Sequence, residues 1–511
     1  MSSAAPIVWS IAGTDSGGGA GLSADQRAAD AFEVHLCPVV AAITAQSSQA
    51  VTRIEPLPPA LIDAQLHALA DDMRPAVIKT GLLGGVEQVR TVARWVDRLR
   101  ADGPVALVID PVLAASTGAD FADRSTRHAL RDELLPRATL VTPNRREARL
   151  LVDGEAAVPA LAAALRRIGA GAVCVTGGDD ANEHQALDWL DSTHARGWLA
   201  SPRIDTPHHH GTGCSFASAA ASALACGFVP ADAVVLAKMA TTHALRHGRA
   251  AGQGAGPVLA RPGFAADSTL LPTLSFGDAP AIAIPRSDSA RPLGLYAIVD
   301  SAERVQQVLA AGVRTVQLRI KAHADLRDPV RRAIAACRDA GAELFVNDHW
   351  TLAHELGAGG VHLGQEDLLA LSDCERHALQ ASGMALGVSS HSLWELCRAR
   401  SLAPRYIACG PVWPTLTKAM PWRAQGLDNL RWWRHMAGAP VVAIGGILEA
   451  SQVEAAARCG VDGVCVVRAL GDDPQASVPN LLRAFDHARA TACRTAPPLP
   501  QPSLNPNTIA A

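Results

Sequence analysis

The sequence lacks the features that direct a chain to a membrane, to a nucleic acid or to an oxidising exterior. It contains no stretch of 20 apolar residues, and its start, MSSAAPIVWSIAG, lacks the basic region and long apolar run of a signal peptide. No basic block accompanies the net charge of −3, so we expect no nucleic acid and no membrane as a partner. The 11 cysteines are odd in number and form no CxxC pair, which favours reduced thiols over disulfides or a zinc site. We therefore expect a cytoplasmic protein.

The length of the chain predicts more than one domain. A chain of 511 residues is long enough for two or three domains, and a hydrophobic fraction of 49% supports large buried cores. A region rich in Gly, Ala and Pro without periodicity lies near residues 250 to 290, and the chain ends in a proline-rich segment. We predict a first domain at residues 1–260, a linker at 261–291, a second domain at 292–490 and a disordered tail at 491–511.

In the first half, short β-branched runs alternate with longer helical patterns. Examples are IVWSIAG, PVVAAIT, AVIKTG and VALVID, separated by segments such as LIDAQLHALADDM. This alternation predicts an α/β fold with a mainly parallel sheet and helices on both faces. Ligands of such sheets bind at the carboxyl ends of the strands, where Gly13, Gln46, Asp110 and Asn144 fall.

A glycine-rich segment, GTDSGGGAGLSAD, follows the first predicted strand. So many glycines predict a loop whose backbone closely approaches another group. The spacing differs from GxxxxGK[ST], which excludes a Walker-type nucleotide loop. Asp25 opens the next helix and has two interpretations: it accepts hydrogen bonds from a polar substrate, or it is a helix N-terminal carboxylate favoured by the dipole.

A second glycine loop, HHGTGCSFASA, precedes an apolar helix. Successive backbone N–H groups at Gly211, Thr212 and Gly213, together with the helix dipole, predict a site for a transferring phosphoryl group. At this helix terminus the Cys214 thiol is expected to have a lowered pKa and to act as a base or nucleophile. The alternative is a small residue that caps a core helix. The histidines at residues 208–210 are not expected to bind a metal, because consecutive loop residues rarely converge on one ion.

These motifs occur in a recognisable order. SIAGTDSGGGAGLSAD, AITAQSS, IKTGLL, DPVLAASTG, LVTPNRREA and HHGTGCSFASA resemble the hydroxymethylpyrimidine/phosphomethylpyrimidine kinases of the ribokinase-like fold, over residues 7 to 260. The resemblance implies ATP as co-substrate, Mg²⁺ as cofactor and two successive phosphorylations of the pyrimidine. It implies pyrimidine binding by Gly13, Asp25 and Gln46, Cys214 as base, His210 as part of the kinase motif, and ATP and Mg²⁺ organisation by Asp110, Asn144, Glu147 and Thr176. Glu147 alone would suggest a first-turn helix carboxylate, and family members often have a basic residue where Thr176 stands.

The second half repeats a shorter unit. Eight apolar runs, LYAIV, TVQLR, ELFVN, GVHLG, ALGVS, YIACG, VVAIG and GVCVV, recur in about 200 residues, with helical segments between most of them. Eight β-α units predict a small TIM barrel, and a second open sheet is the alternative. Polar residues follow nearly every run, which favours the barrel with its site on one face.

The residues at these predicted strand ends have complementary charges. Carboxylates suit Mg²⁺, lysine and arginine suit a diphosphate, and the glycines near the last strands suit a phosphate, so the set predicts a diphosphate site. Alone, Asp348 suits a helix cap and Lys418 a solvated surface lysine. The strand-end residues are Arg319, Lys321, Asn347, Asp348, Gln365, Glu366, Asp367, Lys418, Gly445 and Gly446.

The runs QLRIK, ND, VHLGQEDL, GVSSH, GPVWPTLTK and AIGGI resemble thiamine-phosphate synthase over residues 292 to 490. The resemblance implies Mg²⁺-dependent condensation of the pyrimidine diphosphate with a thiazole phosphate. It implies Mg²⁺ ligation by Asp348 and Asp367. It implies pyrimidine diphosphate binding by Gln317, Leu318, Arg319, Ile320, Lys321, Asn347, Ser389 and Lys418, and thiazole phosphate binding by Thr415, Leu416, Thr417, Gly446, Val467 and Arg468. Family members often have serine where Arg468 stands.

The two resemblances support one another, because the product of the first activity is the substrate of the second. Three alternatives stay open at this stage: a thiazole tautomerase in the second half, a pyridoxal-type kinase in the first, or an inactive precursor sensor. The complete QLRIK, ND and HLGQED runs oppose the first alternative, and intact Cys214, Asp348 and Asp367 oppose the last. The expected partners are small-molecule substrates, and the sequence is compatible with a homo-oligomer.

Overall fold

A computed structural model of this chain contains two sheets, one open and one closed into a barrel. The structure describes residues 5–114, 121–178, 184–281, 292–321, 325–414, 421–493, 495 and 497–504. The described residues divide into two units, of which the first ends at Ala281 and the second at Leu504.

The first unit contains one sheet of ten strands in the order β10-β9-β8-β7-β6-β5-β4-β1-β2-β3. Neighbouring strands are parallel from β2 through β1, β4, β5 and β6 to β7, and the outer strands are antiparallel. Six carboxyl ends therefore share one edge. The strands are β1 (Ile7–Gly13), β2 (His35–Gln46), β3 (Val51–Pro56), β4 (Val77–Thr80), β5 (Ala106–Ile109), β6 (Leu140–Val141), β7 (Val173–Val175), β8 (Gln185–Asp191), β9 (Arg196–Pro202) and β10 (Thr273–Leu274).

Helices cover both faces of this sheet, as predicted. Trp9, Ile11 and Ile78 belong to a core packed by α2 to α6, whereas Ser10 and Lys79 face the opposite side, because successive strand residues alternate between faces. Helices α1, α7 and α8 lie on that second side. The helices are α1 (Gly21–Asp30), α2 (Pro59–Ala70), α3 (Val86–Ala101), α4 (Arg124–Ala129), α5 (Arg145–Val152), α6 (Val158–Ile168), α7 (Thr212–Ala225) and α8 (Pro230–Arg246).

The second unit is a closed barrel of eight parallel strands, which confirms the predicted TIM barrel over a second open sheet. Each predicted apolar run forms one strand, and β18 pairs with β11 to close the ring. The strands are β11 (Gly294–Val299), β12 (Thr315–Leu318), β13 (Glu343–Asn347), β14 (Gly360–Leu363), β15 (Ala385–Ser390), β16 (Tyr406–Cys409), β17 (Val441–Ala443) and β18 (Gly463–Val466). The helices are α9 (Ala302–Ala310), α10 (Arg327–Asp339), α11 (Trp350–Glu355), α12 (Gln365–Ala370), α13 (Asp373–Ala381), α14 (Leu393–Arg400), α15 (Gly426–Met436), α16 (Ala450–Ala457) and α17 (Pro474–Arg489).

The first unit continues beyond the predicted boundary at residue 260. β10 pairs with β9, Phe264 packs on Phe32 with ring centroids 4.7 Å apart, and the Trp198 indole donates to the Asp278 carbonyl over 2.7 Å. The prediction of a linker over residues 261–281 is wrong, because its few apolar side chains are buried even though they follow no helical or strand period. Residues 282–291 of that linker lie outside the described residues.

The proline-rich tail is not wholly disordered as predicted. Leu504 is 3% exposed, the Gln501 N–H donates to Asn429 Oδ1 over 2.6 Å, and Asn429 Nδ2 donates back to the Gln501 carbonyl over 3.0 Å. The Arg423 N–H donates to the Ser503 carbonyl. Proline-rich composition predicted disorder, yet Gln501 binds a buried asparagine of α15 and Leu504 is buried. Residues 505–511 lie outside the described part of the chain.

Within the residues that the structure describes, every helix is too short or too polar to cross a membrane.

Deleting residues 497–511 should lower the free energy of unfolding of the second unit by about 2–4 kcal/mol, because the burial of Leu504 is lost and Asn429 loses both hydrogen bonds with Gln501. Urea unfolding followed by tryptophan fluorescence measures this, since Trp432 and Trp433 lie buried on α15. Deleting residues 505–511 alone is the matched control, which retains Leu504. Equal stability of the two truncated chains would contradict the docking of the tail.

Candidate active sites

Two glycine loops meet at the carboxyl edge of the first sheet. A Cβ atom on Gly211, where φ is +83°, would lie 2.2 Å from the Gly19 carbonyl oxygen, and one on Gly19 would lie 2.2 Å from His210 Cδ2. Only glycine permits this approach. The predicted loops after β1 and before α7 therefore form one surface.

Asp15 holds the first of these loops in place. Its carboxylate accepts hydrogen bonds from the N–H groups of Gly17, Gly19 and Ala20, and it lies 2.9 Å from His210 Nε2. Burial alone would raise the pKa of Asp15, but the hydrogen bonds from His210 and the backbone outweigh it and the pKa is lowered. His210 Nε2 also lies 3.3 Å from the amide of Gln46, so the structure brings Gln46 to this loop.

A buried ion pair lies below the loops, on the face that α1 and α7 cover. Lys79 Nζ is 2.9 and 3.0 Å from the two carboxylate oxygens of Asp25, and both side chains are 0% exposed. Ser10 donates to Asp25 over 2.6 Å and Ser218 over 2.8 Å. Ser10 and Lys79 are register partners on β1 and β4, which explains how both reach one carboxylate. Neither of the two interpretations of Asp25 drawn from the sequence includes Lys79 as its partner.

Asp25 therefore does not offer the exposed carboxylate that direct pyrimidine binding would require. It accepts four hydrogen bonds from side chains and has no accessible surface. Burial alone would lower the pKa of Lys79, but the charges of Asp25 and Asp110 and the hydrogen bonds with Asp25 raise it instead. Lys79 is thus a fixed positive charge beneath the site.

Cys214 lies beside this cluster, and the expectation of a lowered pKa for its thiol is wrong. Burial and the nearby carboxylates of Asp110 and Asp25 raise the pKa of Cys214 to about 12, although Lys79 and a hydrogen bond from Gly21 oppose the shift. The helix dipole is too weak to reverse the desolvation of a thiolate. Cys214 is a neutral thiol at pH 7.

Asp110 completes the cluster. Burial raises its pKa to about 6, while the charge of Lys79 and a hydrogen bond with Cys214 oppose the increase. Asp110 Oδ2 lies 3.9 Å from Lys79 Nζ and has no hydrogen-bond partner among the described residues. A buried carboxylate oxygen without a partner is costly, which indicates that this oxygen faces a group supplied from outside the chain.

The loop before α7 offers fewer free donors than predicted. The Thr212 N–H donates to the His209 carbonyl over 3.3 Å, so it is not available to a phosphoryl group as expected. Gly213 is exposed, and a Cβ atom there would meet nothing within 4 Å. The space above Gly213 is therefore open.

Asn144 and Glu147 form the capping box of α5. Asn144 Oδ1 accepts from the Glu147 N–H over 2.9 Å, Glu147 Oε2 accepts from the Asn144 N–H over 3.0 Å, and Glu147 Oε1 accepts from the Leu113 N–H. The structure thus supports the helix-carboxylate interpretation of Glu147 and ties the loop after β5 to α5. Thr176 bridges to Asn144 through the backbone, which places both at the same edge.

In the second unit, Asp348 follows β13 with φ +67°, an uncommon conformation for a residue other than glycine. Such strain persists where the surrounding structure fixes it, commonly at functional sites. Burial and the charge of Asp367 raise the pKa of Asp348, and Arg319, His349 and a hydrogen bond from Asn347 oppose the increase. The structure therefore brings Asp348, Asp367 and Arg319 within electrostatic reach of one another.

Two carboxylates suit Mg²⁺, which is bound in proteins by one or two carboxylates together with substrate phosphates and water. Asp367 Oδ2 accepts from the Gly364 N–H over 2.9 Å, which orients it. In the part of the chain that the structure describes, no group of three or more His, Cys, Asp or Glu side chains forms a closed metal site. The donor set fits a metal shared with a phosphorylated substrate.

The predicted pyrimidine side chains line the inner wall of the barrel. Gln317 Nε2 donates to Asn347 Oδ1 over 2.6 Å, and Ser389 Oγ lies 2.8 Å from His362 Nε2. Gln317 and Asn347 are buried and Ser389 is half-buried. Leu318 is buried behind them, whereas Ile320 is half-buried and Lys321 is exposed. The structure thus brings Gln317 and Asn347 into contact, places Ser389 against His362 and leaves Lys321 exposed.

The last strands contribute the remaining described positions. A Cβ atom on Gly446 would lie 2.6 Å from the Trp413 carbonyl oxygen, at φ +73°, so glycine is required there. Val467 and Arg468 follow β18 and are exposed. The predicted residues Thr415, Leu416, Thr417 and Lys418 lie outside the described residues.

Family models match both halves of the chain. One for phosphomethylpyrimidine kinase matches residues 15–259, and one for thiamine monophosphate synthase matches residues 295–470. A probable thiamine biosynthetic bifunctional enzyme, chloroplastic, from Oryza sativa subsp. japonica is 35% identical over 92% of this chain and 86% of its own length. The chain belongs to the bifunctional thiamine biosynthetic enzymes. Its two units are hereafter the kinase unit and the synthase unit.

Each unit of the bifunctional enzyme also resembles single-function proteins. The thiamine-phosphate synthase of Neisseria meningitidis serogroup A is 46% identical over 38% of this chain and 96% of its own length. The solved ADP complex of Bacillus subtilis pyridoxal kinase is 29% identical, covers 50% of this chain and 98% of that chain, and has a TM-score of 0.47. The rice relative is described as chloroplastic, so the cytoplasmic location of this chain stays a prediction.

Sequence reasoning missed Lys79 and His362 as site residues. Both lie on strands whose neighbours are apolar and buried, in IKTG and VHLG. A charged or titratable residue in a buried strand needs a polar partner, and this signal could have singled them out.

Lys79→Met should lower the free energy of unfolding of the kinase unit by about 3–5 kcal/mol, because Asp25 is left buried without a counter-charge. The double variant Lys79→Met/Asp25→Asn should lose less free energy of unfolding than the single variant, since the buried charge of Asp25 is removed as well. Urea unfolding measures both. Arg53→Met is the control, since the Arg53–Glu55 pair is exposed and should contribute less than about 1 kcal/mol. Additive losses in the double variant would contradict the coupling.

The rate of Cys214 alkylation by iodoacetamide should rise about tenfold per pH unit from pH 6 to 10, because the thiolate is the reactive form and its fraction grows throughout this range. Cys493 provides the comparison within the same chain, since hydrogen bonds from the backbone and side chain of Thr495 lower its pKa and its rate should level off. Peptide mapping by mass spectrometry separates the two cysteines. A plateau for Cys214 below pH 9 would refute the raised pKa.

Proposed function

We propose that the kinase unit phosphorylates 4-amino-5-hydroxymethyl-2-methylpyrimidine twice with ATP, and that the synthase unit condenses the resulting diphosphate with a thiazole phosphate in the presence of Mg²⁺. The observation that carries the proposal is the contact between Cys214 and a buried, incompletely paired Asp110 above a fixed lysine. This cluster lies at the carboxyl edge of the sheet, where ligands of parallel sheets bind.

In the kinase unit, Cys214 and Asp110 form a proton relay. Cys214 donates its thiol proton to Asp110, which is ionised above about pH 6, and the sulfur accepts the proton of the substrate hydroxyl. The hydroxyl oxygen then bonds to the γ-phosphorus of ATP as the bond to the ADP oxygen breaks. Phosphoryl transfer has a loose transition state and needs no strong base, so a neutral thiol in contact with a carboxylate suffices.

Other residues of the kinase unit bind and orient the substrates. Gln46 beside His210 offers amide hydrogen bonds to the pyrimidine, and Gly13 leaves room for the ring. Asn144 and Glu147 fix the loop after β5 and act on MgATP through water, because both Glu147 oxygens accept backbone hydrogen bonds. Thr176 stands where a basic residue would contact the nucleotide, so its contribution is a hydrogen bond.

In the synthase unit, Asp348 and Asp367 hold Mg²⁺, and Arg319 and Lys321 bind the diphosphate. The metal supplies charge neutralisation of the leaving group when bound. Gln317, Asn347 and Ser389 orient the pyrimidine so that the bond between its methylene carbon and the diphosphate oxygen is free to break. The electron pair leaves with diphosphate, and the thiazole nitrogen then bonds to the carbon. Gly446 leaves space for the thiazole phosphate, which Arg468 neutralises.

One incubation tests the proposed sequence of reactions. Purified protein is mixed with the hydroxymethylpyrimidine, MgATP and thiazole phosphate, and thiamine phosphate is measured by mass spectrometry. We expect product, and none when Mg²⁺ is chelated. Preferential turnover of pyridoxal in a competition assay would overturn the assignment of the kinase substrate.

Two substitutions should separate the activities. Cys214→Ala should lower phosphorylation at least about a hundredfold, because the relay is broken, while condensation of supplied pyrimidine diphosphate is retained. Asp367→Ala should do the reverse, because a metal ligand is lost. In each variant, the activity retained by the other unit shows that the chain is folded. Coupled assays of both steps measure which activity is lost and which is retained. Loss of both activities in either folded variant would refute two independent sites.

A further inference from the structure

A continuous chain of hydrogen bonds crosses the interior of the synthase barrel. Ser389 Oγ is 2.8 Å from His362 Nε2, His362 Nδ1 is 2.7 Å from the Tyr406 hydroxyl, and that hydroxyl is 2.7 Å from the Tyr296 hydroxyl. Tyr296 then donates to Gln317 Oε1 over 3.3 Å, and Gln317 Nε2 donates to Asn347 Oδ1 over 2.6 Å. The chain links six of the eight barrel strands.

This chain contains both tyrosines of the sequence, and each is almost completely buried. Tyr406 packs edge to face with Tyr296 and with Phe345, Tyr296 and Phe345 are tilted against each other, and the ring centroids are 5.1 to 5.9 Å apart. Phe345 shows that an aromatic ring without a hydroxyl fits this core. The two buried hydroxyls therefore need a reason other than packing, because a buried polar group costs free energy unless it is hydrogen-bonded.

The imidazole of His362 carries a single proton. Burial, together with the positive charges of Arg319 and His391, lowers the pKa of His362 to about 4. Both ring nitrogens contact hydroxyl groups, so no carboxylate compensates a buried charge there. One ring nitrogen must then donate and the other must accept.

The amides of Gln317 and Asn347 set the direction of the chain at its far end. An amide nitrogen only donates and an amide oxygen only accepts. Asn347 Oδ1 accepts from Gln317 Nε2, and Gln317 Oε1 accepts from the Tyr296 hydroxyl.

The remaining protons follow one by one. The Tyr296 hydrogen is committed to Gln317, so Tyr296 accepts from Tyr406. Tyr406 in turn accepts from His362 Nδ1–H, which leaves His362 Nε2 as an acceptor. Ser389 must donate its only hydrogen to that nitrogen. Ser389, the one half-buried member of the chain, can then only accept from a ligand.

We propose that Tyr296 and Tyr406 are positioning residues that transmit the hydrogen-bond polarity of the Gln317 and Asn347 amides to Ser389, so that Ser389 selects pyrimidines with an exocyclic amino group. The inference rests on the proposed function of the synthase unit. In 4-amino-5-hydroxymethyl-2-methylpyrimidine phosphate, the amino group is the only N–H donor of the ring system, and the ring nitrogens only accept. A 4-oxo analogue presents an acceptor at the same place and leaves Ser389 facing another lone pair.

The test measures how strongly the synthase unit discriminates between two pyrimidine inhibitors, and not the rate of condensation. The monophosphates of the 4-amino and 4-oxo pyrimidines lack the diphosphate leaving group, so they serve as competitive inhibitors of condensation, assayed without ATP to keep the kinase unit inactive. The ratio of the 4-oxo to the 4-amino inhibition constant is determined for the wild type, Tyr406→Phe and Tyr296→Phe. Both variants should lower this ratio at least about tenfold, because His362 becomes free to adopt the other tautomer and to donate to Ser389.

Tyr296→Phe is the decisive variant, since its hydroxyl touches neither His362 nor Ser389. Phe345→Leu is the matched control, because it disturbs the same aromatic cluster without removing a hydrogen bond; it should leave the ratio within about twofold. The inference would be overturned if both tyrosine variants still catalysed condensation but kept the wild-type ratio of inhibition constants. It would also be overturned if Phe345→Leu lowered that ratio as much as the tyrosine variants do. Either result would leave the proposed function intact. Absence of condensation by the wild type with supplied diphosphate would overturn both.

Discussion

Parallel strand pairing places the carboxyl ends of neighbouring strands at one edge, and both active sites of this enzyme depend on that constraint. In the kinase unit, β1, β4 and β5 end beside one another and deliver the first glycine loop, Thr80 and Asp110 to a common place. In the synthase unit, closure of the ring brings the ends of β12, β13, β14 and β15 around one opening. Loops can then differ widely in sequence while their positions stay fixed.

Burial of charge is the second constraint, and the two units meet it differently. The kinase unit buries full charges of opposite sign. The Lys79 ammonium group pairs with the Asp25 carboxylate and lies near the Asp110 carboxylate, and these charges act on the Cys214 thiol. Inside its barrel, the synthase unit buries the neutral side chains of Tyr296, Tyr406 and Gln317, whereas the carboxylates of Asp348 and Asp367 are exposed. A phosphoryl acceptor needs proton transfer beside it, whereas loss of a diphosphate needs charge at the leaving group and an oriented ring.

The sequence was sufficient for the features that local pattern determines. Strand runs predicted every barrel strand, and the glycine loops marked the kinase edge. The partner of Asp25 could not be predicted, because Lys79 is 54 positions away and only the register of β1 and β4 brings it near. The pKa of Cys214 was predicted with the wrong sign, since position at a helix terminus is visible in a sequence but the surrounding carboxylates are not. Docking of the tail was missed because composition does not reveal that Gln501 binds Asn429 on α15.

The restriction of tyrosine to two buried barrel positions has a practical consequence for spectroscopy. A chain labelled with carbon-13 at the tyrosine ring carbon that bears the hydroxyl would give two resonances, and both would come from the synthase interior. The kinase unit would contribute none, so substrate binding at one of the two sites is observable without separating the units. The same two carbons would report how strongly each hydroxyl is polarised.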